Sequence, residues 1–408
     1  MQAPSPLPVV DADILVAGTG PAGLICALSM AQAGFKVRLV GPRPRTDDRR
    51  TTALMVPALR YLSTLGVGEE LASEAAPLEA MRIVDGTARL IRSPTVTFRA
   101  GEIGEAHFGL NIPNAHLNAT LRAAVERQPE ITWHHGLVER WETLPQAVAV
   151  RLEDGTRLAA RLAAAADGRD SPARQAAGIQ ARAHRFGQSA LVVSFAHTRP
   201  HGSVSTEFHT ETGPFTQVPL RGLRSSLVWV VTPKEAEELA GLPDNALSRR
   251  IEDRMQSMLG RVSVEAGRQV YPLTSALPSH FARSRIALVG EAAHLFPPIG
   301  AQGLNLGIRD VRDLVSTAVE HVSDPGSDAA LDAYDRRRRP DILARAGAVD
   351  LLNRSLLSDL LPAQFLRSAG LSALRTLPPL RSFFMREGLQ PGSGFRGLFG
   401  DLREQVRR

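Results

Sequence analysis

The sequence predicts an α/β fold in which a nucleotide-binding domain is interleaved with a β-sheet domain and followed by a helical C-terminal segment. Three observations predict it. A short apolar run, Ile14–Ala17, leads directly into a glycine-rich turn, GTGPAG. Strand-like and helical patterns then alternate as far as an apolar strand pattern at residues 286–289. With 408 residues, the chain is also too long for one ordinary hydrophobic core.

The composition is that of a globular protein. Hydrophobic residues make up 43% and charged residues 22%, and no apolar stretch approaches the ~18 residues that a membrane span requires. The single cysteine, Cys26, excludes an internal disulfide framework, a thiolate zinc site and a CxxC redox pair. Because Asp11 and Asp13 interrupt the first apolar run, no signal peptide is predicted and we expect a cytoplasmic protein.

The first element is a βαβ unit at the N-terminus. In GTGPAG, Gly18 permits a tight turn, Gly20 lets backbone approach a pyrophosphate, and Gly23 lets helix and strand pack closely. Apolar residues at helical spacing follow, and a second strand is predicted over 37–40. The N-terminus of the helix would present free N–H groups to phosphates. This arrangement predicts a Rossmann-like dinucleotide site, although Gly41 stands where an acid usually holds the ribose.

The later elements follow from periodicity and turn residues. Helices are predicted over 51–67 and 114–127, and strands over 81–99, 131–166 and 190–233, with turns at Asp85–Gly86 and Asp154–Gly155. A last strand at 286–289 precedes a helix that begins near Leu304. The predicted nucleotide-binding domain comprises 8–75, 101–178 and 268–340, the β-rich substrate domain 76–100 and 179–267, and the helical segment 341–408.

Two further motifs narrow the class of nucleotide. An apolar strand ends at Asp167–Gly168 in AAAADGRDSPAR, and the segment GEAAHLFPPIGAQGLNLGIRD occupies 290–310. The three motifs, by order and separation, resemble those of the single-component aromatic hydroxylases that use FAD. Together with DDRRTTAL at 47–54 and YDRRRRPD at 334–341, they resemble in particular the flavin monooxygenases of ubiquinone biosynthesis. The resemblance covers almost the whole chain.

The resemblance implies a set of FAD-binding residues. The glycines of the first turn would hold the pyrophosphate, Asp167 and Gly168 would shape a loop facing the cofactor, and Glu291 replaces the usual aspartate that binds the ribityl chain. The loop that follows would wrap the isoalloxazine. The implied FAD-binding residues are Gly18, Gly20, Gly23, Arg50, Asn114, Asp167, Gly168, Gly290, Glu291, Pro298, Gly300, Gln302, Gly303, Leu304 and Asn305.

The resemblance also implies the reaction. NAD(P)H or another reductant would reduce the flavin, O2 would add at C4a, and the resulting hydroperoxide would transfer one oxygen atom to a phenolic ring. The substrate that the resemblance implies is polyprenylated. No catalytic acid or base and no metal site is expected. Glu207, His209, Glu211 and Gln217, on a predicted strand and turn of the β-rich domain, are candidates to line the substrate face, with His209 and Gln217 selected as substrate residues. A solvent-facing alternation is the competing interpretation.

Other interpretations stay open at this point. The chain could hydroxylate another small aromatic compound, or act as a non-catalytic flavoprotein that scaffolds a biosynthetic complex. His294 is interpreted as a packing or hydrogen-bonding residue, and the run Arg336–Arg339 as a solvated helix face or an interior salt-bridge set. Nucleic acid is not an expected partner, because aromatic residues do not interleave with the basic run. The C-terminal leucines and nearby arginines leave open a peripheral contact with the inner membrane leaflet or with a ubiquinone-biosynthesis complex.

Overall fold

The computed structural model describes residues 10–45, 47–87, 93–297, 303–357, 372–374 and 376–389. Its strands are β1 (Ala12–Ala17), β2 (Val37–Val40), β3 (Thr51–Met55), β4 (Ala76–Pro77), β5 (Ala80–Asp85), β6 (Val96–Arg99), β7 (Gly109–Pro113), β8 (Ile131–His134), β9 (Val138–Thr143), β10 (Val148–Leu152), β11 (Arg157–Ala165), β12 (Ala181–His197), β13 (Val204–Thr210), β14 (Gly213–Leu220), β15 (Arg224–Val231), β16 (Val262–Val264), β17 (Gln269–Pro278), β18 (Ala282–Arg283) and β19 (Ile286–Leu288). Its helices are α1 (Pro21–Gln32), α2 (Val56–Thr64), α3 (Gly68–Ser73), α4 (Asn114–Glu126), α5 (Pro172–Ala176), α6 (Pro233–Gly241), α7 (Asp244–Arg254), α8 (Gly303–Glu320), α9 (Asp328–Leu357) and α10 (Pro378–Leu389).

The first sheet carries the N-terminal motif. Its strand order is β18-β19-β11-β1-β2-β8; β10 also pairs with β11, and β9 pairs with β10. The pairs β8–β2, β2–β1, β1–β11 and β11–β19 are parallel. From Ile14 to Ala17, strand β1 is apolar without alternation, because both faces of a parallel sheet are covered. Since Ala17 is in register with both Val40 and Ala165, the loops after β1, β2 and β11 leave the sheet at the same edge.

The second sheet is the β-rich part of the molecule. Its order is β16-β12-β15-β14-β13-β5-β6, and β17 also pairs with β12. On one face, which we call the outer face, Phe195, Phe215 and Trp229 form a buried cluster with side chains of α6 and α7 such as Leu247 and Ile251. Strand β5 joins by a parallel pairing with β13, so a segment near residue 80 and one near 205 become neighbours.

Two predicted boundaries differ from the structure. Residues 51–55 form strand β3 and not the start of a helix, because they pair with β7 in a three-stranded sheet and the helix begins only at Val56. Residues 269–278 form β17 in the second sheet, whereas the sequence analysis placed 268–340 with the nucleotide-binding part. Such pairings join strands that are remote in sequence, so local periodicity does not reveal them.

The C-terminal part is helical where the structure describes it. Helix α9 begins at Asp328 and continues through Pro340, so the expected boundary at residue 341 falls inside one helix. Of the predicted segment 341–408, the structure describes 341–357, 372–374 and 376–389. Within the described residues, no helix has both the length and the apolar character needed to cross a membrane.

Candidate functional site

The glycine-rich turn after β1 is shaped by close backbone contacts. Gly18 has φ +108°, and a Cβ there would collide with the carbonyl oxygen of Ala166; a Cβ at Gly23 would collide with the carbonyl oxygen of Gly18. Gly20 has no neighbour within 4 Å of where its Cβ would lie. It is also the N-cap of α1, and no side chain caps that helix. The N–H groups at the start of α1 therefore face open space, which favours an anionic ligand.

The segment that starts at Gly290 lies against the start of α1. Gly290 has φ +62°, and a Cβ there would be 3.1 Å from the Cβ of Ala22. A Cβ at Gly307, on α8, would lie 3.6 Å from the same Ala22 atom and 3.4 Å from the Cα of Gly290. Small residues thus allow three segments that are remote in sequence to meet. One extended ligand on the N-terminus of α1 is within reach of all three.

A buried ionic network holds the turn at Gly290. The carboxylate of Asp310 is 0% exposed; its Oδ2 accepts the Gly290 N–H at 3.0 Å and lies 2.7 Å from Nε2 of His294. Its Oδ1 accepts a hydrogen bond from Nε of Arg338 at 2.8 Å. Burial lowers the pKa of Arg338, but the carboxylates of Asp310 and of Asp313 raise it above its usual range, so the guanidinium stays charged.

These contacts decide two interpretations made from the sequence. His294 is a hydrogen-bonding residue of the loop, and Arg338 belongs to an interior salt-bridge set that also includes Asp313 at 2.8 Å and Asp341 at 3.1 Å. Asp310 was not predicted as a site residue. Its place in GLNLGIRD could have indicated it, because it lies one helical turn after Gly307, which packs against Gly290.

The loop after β11 joins the Gly290 segment. Oδ2 of Asp167 accepts the N–H of Ala173 at 3.0 Å, and Gly168 has φ +87°. Burial raises the pKa of Asp167, although hydrogen bonds from Ser171 and Ala173 oppose the shift. Arg174, which follows Ala173 in α5, donates a hydrogen bond to the carbonyl oxygen of Ala292 at 2.9 Å. The two predicted motifs are therefore neighbours in space.

Glu291, the replacement for the usual aspartate, has an open environment. Its side chain is 57% exposed, and its carboxylate lies 4.0 Å from Nε of Arg169 in the loop after β11. At that distance and exposure the ion pair contributes little to stability. The carboxylate therefore remains accessible to a hydroxyl-bearing ligand.

Arg50 and Asn114 meet at Asp48. The guanidinium of Arg50 donates two hydrogen bonds to the Asp48 carboxylate at 2.8 and 2.7 Å, and Nδ2 of Asn114 donates a third at 3.0 Å. Burial raises the pKa of Asp48, but these partners outweigh it and lower the pKa below its usual value. Arg50 also stands over the ring of Tyr271, 6.0 Å from its centroid, on strand β17 of the second sheet. Asp48, which the sequence analysis did not select, thus orients both predicted residues.

The start of α8 is tied to β3. Oδ1 of Asn305 accepts the N–H of Met55 at 2.9 Å, and its Nδ2 donates to the carbonyl oxygen of Ala53 at 2.8 Å. The helix begins at Gly303, and Leu304 is partly buried against the hydrophobic core around the first sheet. The amide of Asn305 therefore positions α8 through protein contacts. Three further predicted residues, Pro298, Gly300 and Gln302, lie outside the described residues.

The two candidate substrate residues lie on opposite faces of the second sheet. Gln217 pairs with Thr206 and is buried on the outer face, where its Nε2 donates to Oγ of Ser225 at 2.8 Å. His209 is three residues from Thr206, so its side chain lies on the other face. There its Nε2 lies 3.0 Å from Oε1 of Glu207. A single substrate surface cannot contain both predicted side chains.

An apolar cavity of about 270 Å³ lies between the two parts of the molecule. It is enclosed by the start of α8, by α2, by strands β5 and β6, and by α10. Arginines from α8 and α9 lie at its border. Its lining residues are Met55, Pro57, Ala58, Tyr61, Met81, Phe98, Phe108, Asn305, Leu306, Ile308, Arg309, Arg312, Arg345, Phe384, Met385, Gly388 and Leu389. Such a lining suits an apolar ligand with few polar groups.

Comparison with known proteins agrees with this arrangement. A family model described as an FAD binding domain matches residues 11–346. The chain is 33% identical over 390 residues to "Ubiquinone hydroxylase UbiL" from Rhodospirillum rubrum, covering 93% of this chain and 89% of that protein. It is 29% identical over 374 residues to "3-demethoxyubiquinol 3-hydroxylase" from Escherichia coli, covering 88% and 94%. The crystal structure of p-nitrophenol 4-monooxygenase PnpA from Pseudomonas putida has the same fold, with a TM-score of 0.76 at 20% identity, covering 95% of this chain and 98% of that one.

Proposed function

The chain belongs to the family of FAD-dependent aromatic hydroxylases, so its cofactor is FAD, and we propose that it hydroxylates the ring of a polyprenylated phenol in ubiquinone formation. The relatives named for ubiquinone hydroxylation support the pathway. The apolar cavity beside Asn305 carries the proposal about the substrate, because a prenyl chain needs an apolar site next to the redox centre.

The residues present fit an FAD molecule. The open backbone at Gly20 and the uncapped start of α1 suit its pyrophosphate, and the exposed carboxylate of Glu291 suits a ribityl hydroxyl. We assign the pyrophosphate to Gly18, Gly20 and Gly23 and the ribityl chain to Gly290 and Glu291. We propose likewise that Arg50 and Asn114 would flank the cofactor from the Asp48 side, that Asp167 and Gly168 would shape the facing loop, and that Gly303, Leu304 and Asn305 would border the isoalloxazine.

Bound FAD supplies electron transfer from NAD(P)H or another donor and the activation of O2. The chain must orient the ring and exclude water. Asn305 fixes the start of α8 against β3, and Asp310 fixes the turn at Gly290, so both walls of the proposed cofactor site are held by buried hydrogen bonds. Apolar side chains around the cavity exclude water from the same region.

A reconstitution assay tests the proposal. Purified protein loaded with FAD should show a flavin spectrum and, with NADH and 2-geranylphenol, should consume O2 and form a hydroxylated ring product. A deletion strain should accumulate an under-hydroxylated precursor of ubiquinone. A colourless protein that does not take up FAD, or unchanged ubiquinone without accumulated precursor, contradicts the proposal. Hydroxylation of phenols without a prenyl chain, and of no prenylated one, would instead favour a small aromatic substrate.

Peripheral contact with an anionic membrane surface is a second part of the proposal. Phe384 of α10 lines the cavity and is 52% exposed, and Leu377, just before α10, and Leu343, on α9, are 51% and 50% exposed. Arg312, which lines the same cavity, is 51% exposed, and a basic residue beside apolar ones favours an anionic lipid surface. Sedimentation with vesicles containing phosphatidylglycerol, compared with phosphatidylcholine alone, measures this contact. Equal recovery in the supernatant with both vesicles contradicts it.

A further inference from the structure

The second sheet has a face opposite α6 and α7, which we call the inner face. It is turned toward residues 50 and 51, at the start of β3. Ser226 on this face accepts a hydrogen bond from Oγ1 of Thr51 at 3.0 Å, and Tyr271 lies under the guanidinium of Arg50. Both partners belong to the segment that the resemblance places at the cofactor. The inner face therefore borders the proposed redox site.

Glu207 belongs to this inner face and lies between those two contacts. It pairs with Thr216, which pairs with Val228, and cross-strand partners share a face. On β15, Val228 lies two residues after Ser226 and two residues before Val230. Val230 pairs with Ala190 of β12, which in turn pairs with Tyr271 of β17. Glu207 thus occupies the central row of the face.

This central row is accessible to solvent although it faces the interior of the molecule. The side chain of Glu207 is 19% exposed, and Val192, Thr216 and Val228 of the same row are also incompletely buried. The corresponding rows on the outer face are buried under α6 and α7. The central row therefore lines open space between the sheet and the first part of the molecule.

The same row adjoins the apolar cavity. Glu207 is in register with Ile83 on β5, and Met81, two residues before Ile83 on the same face, lines the cavity together with its cross-strand partner Phe98. A ligand with its apolar chain in the cavity can consequently place its polar ring end beside Glu207. A prenylated phenol combines such an apolar chain with a polar ring end.

Glu207 is held ready for such a contact. Its Oε1 lies 3.0 Å from Nε2 of His209, and its Oε2 accepts a weaker hydrogen bond from Oγ1 of Thr216 at 3.3 Å. A carboxylate has about four acceptor positions, so these two partners orient it and leave room for another donor. His209 itself is 4% exposed and acts through Glu207.

We propose that Glu207, positioned by His209, binds the phenolic hydroxyl of the substrate and accepts its proton as the ring is hydroxylated. This assignment rests on the proposed function. The phenol O–H bond breaks, its electron pair stays on the phenolic oxygen, and the proton forms a new O–H bond with a Glu207 oxygen. The ring becomes more electron-rich, and one ring carbon forms a bond with one atom of O2; the C–H bond of that carbon then breaks, its electron pair restores the aromatic ring, and its proton passes to solvent. The other atom leaves as water, with both electrons supplied by NAD(P)H through FAD.

The paired ligands 2-geranylphenol and 2-geranylanisole, its methyl ether, test the contact without any mutation. Dissociation constants are measured from the change in flavin absorbance of the FAD-loaded enzyme. We expect the wild-type enzyme to bind the phenol about tenfold more tightly than the ether, because a hydrogen bond to a charged carboxylate is lost. A ratio near one overturns the proposal even if every variant of Glu207 misfolds.

The variant E207Q keeps the size of the side chain and removes its basicity. We expect kcat for 2-geranylphenol to fall about a hundredfold, FAD content to stay unchanged, and the preference for phenol over ether to shrink toward one. Glu237 on α6 is exposed and serves as the matched control, so E237Q should retain wild-type values. H209N should reduce kcat less than E207Q does, because His209 only positions the carboxylate.

The outcomes separate this inference from the proposed function. If the wild-type enzyme neither binds nor hydroxylates 2-geranylphenol, the proposed function is wrong and the role of Glu207 falls with it. If the wild-type enzyme hydroxylates the phenol and E207Q retains both its kcat and its preference for the phenol, the proposed function stands and the role of Glu207 is wrong.

Discussion

At the scale of single residues, two glycines of the first turn have different physical roles. Gly18 combines a positive φ with backbone contact to Ala166, so only hydrogen fits there. Gly20 has an ordinary φ of −68° and open surroundings, so the fold itself does not require a glycine. If the pyrophosphate binds as proposed, it is the ligand that requires a glycine at position 20.

Substituting these glycines by alanine separates folding from cofactor binding. We expect Gly18→Ala to destabilise the flavin-free protein by about 3 kcal/mol, from backbone strain and steric overlap. Gly20→Ala should change stability by less than about 0.5 kcal/mol yet weaken FAD binding, because its methyl group occupies the ligand side of the turn. Urea unfolding and FAD titration measure the two effects. Unchanged FAD affinity in Gly20→Ala contradicts the assigned pyrophosphate site.

A second residue-scale prediction concerns pH. Burial raises the pKa of Asp167 in the folded protein, so its ionised form costs stability at neutral pH. The cost appears as the pH rises above the unfolded value of about 3.9 and is complete above the raised folded pKa. Asp167→Asn should therefore stabilise the flavin-free protein at pH 7, and the gain should shrink as the pH falls toward 4.

Urea unfolding at several pH values measures this dependence. Asp170, exposed on the same loop, provides the control, and Asp170→Asn should change stability by less than about 0.5 kcal/mol at each pH. A gain for Asp167→Asn that grows toward acid pH has the opposite sign and refutes the burial argument.

At the scale of elements, one carboxylate joins the Gly290 turn to two helices. Asp310 on α8 contacts the backbone of Gly290 and the guanidinium of Arg338 on α9. Tyr334, also on α9, donates to the carbonyl oxygen of Leu288 at the end of β19 at 2.7 Å. Strand, turn and helices therefore form one packed unit, and the position of the turn depends on charges that are far from it in sequence.

Removing the charge of Asp310 should loosen this unit. Asp310→Asn leaves the buried Arg338 with fewer carboxylates, so we expect a loss of about 3–5 kcal/mol of stability. Asp313 contacts the same arginine but its side chain is 20% exposed, and Asp313→Asn should cost distinctly less. Urea unfolding compares the two variants. Equal losses would show that the contact to Gly290 does not add to the ion pair.

Helix α10 is the element that closes the apolar cavity. Met385 on this helix is buried and lines the cavity. We expect Met385→Trp to fill part of the space that the prenyl chain needs and to raise KM for 2-geranylphenol about tenfold. The KM for 2-methylphenol, which lacks the chain, is the internal control and should stay within about twofold. A parallel rise for both substrates would show a general disturbance of the site.

At the scale of the whole molecule, the proposed FAD site is assembled from segments that span most of the chain. A ligand that bridges the start of α1 and the turn at Gly290 stabilises only the folded arrangement. Its binding energy is therefore added to the stability of the entire α/β part.

Thermal unfolding with added FAD tests this coupling. At a free FAD concentration of a hundred times Kd, the stabilisation should be about 2.7 kcal/mol, and each further tenfold should add about 1.4 kcal/mol. NAD at the same concentrations should leave Tm unchanged. Stabilisation by NAD that equals that by FAD would contradict the assignment of the cofactor.

The parts of the fold that sequence analysis predicted correctly have local causes. The turn at Asp154–Gly155 connects the antiparallel strands β10 and β11 as predicted, because a two-residue turn signal acts between adjacent strands. The helix predicted near Leu304 begins at Gly303. The segment 51–55 was predicted as helix because its apolar spacing fits one, but pairing with β7 overrode that pattern.

The site residues also divide into those that local sequence reveals and those that depend on tertiary contacts. The motifs containing Gly18, Asp167 and Gly290 were found from sequence, since each depends on residues that are neighbours in the chain. Asp48 and Asp310 were not assigned a role, because a lone carboxylate in a sequence gives no sign of its partner, and Glu207 was a candidate only to line the substrate face. Their roles follow from contacts to Arg50, Arg338 and His209 in the folded chain, two of which lie within two residues and one of which is 28 residues away.

The sequence by itself determined the N-terminal βαβ unit, because glycines, strand ends and helix starts act on their immediate neighbours. The class of cofactor followed from the resemblance of the three motifs to those of FAD-dependent aromatic hydroxylases. Only the tertiary structure decided which face of the second sheet each side chain occupies. A face depends on the register between paired strands, and a shift of one residue between β13 and β14 would place His209 and Gln217 on the same face.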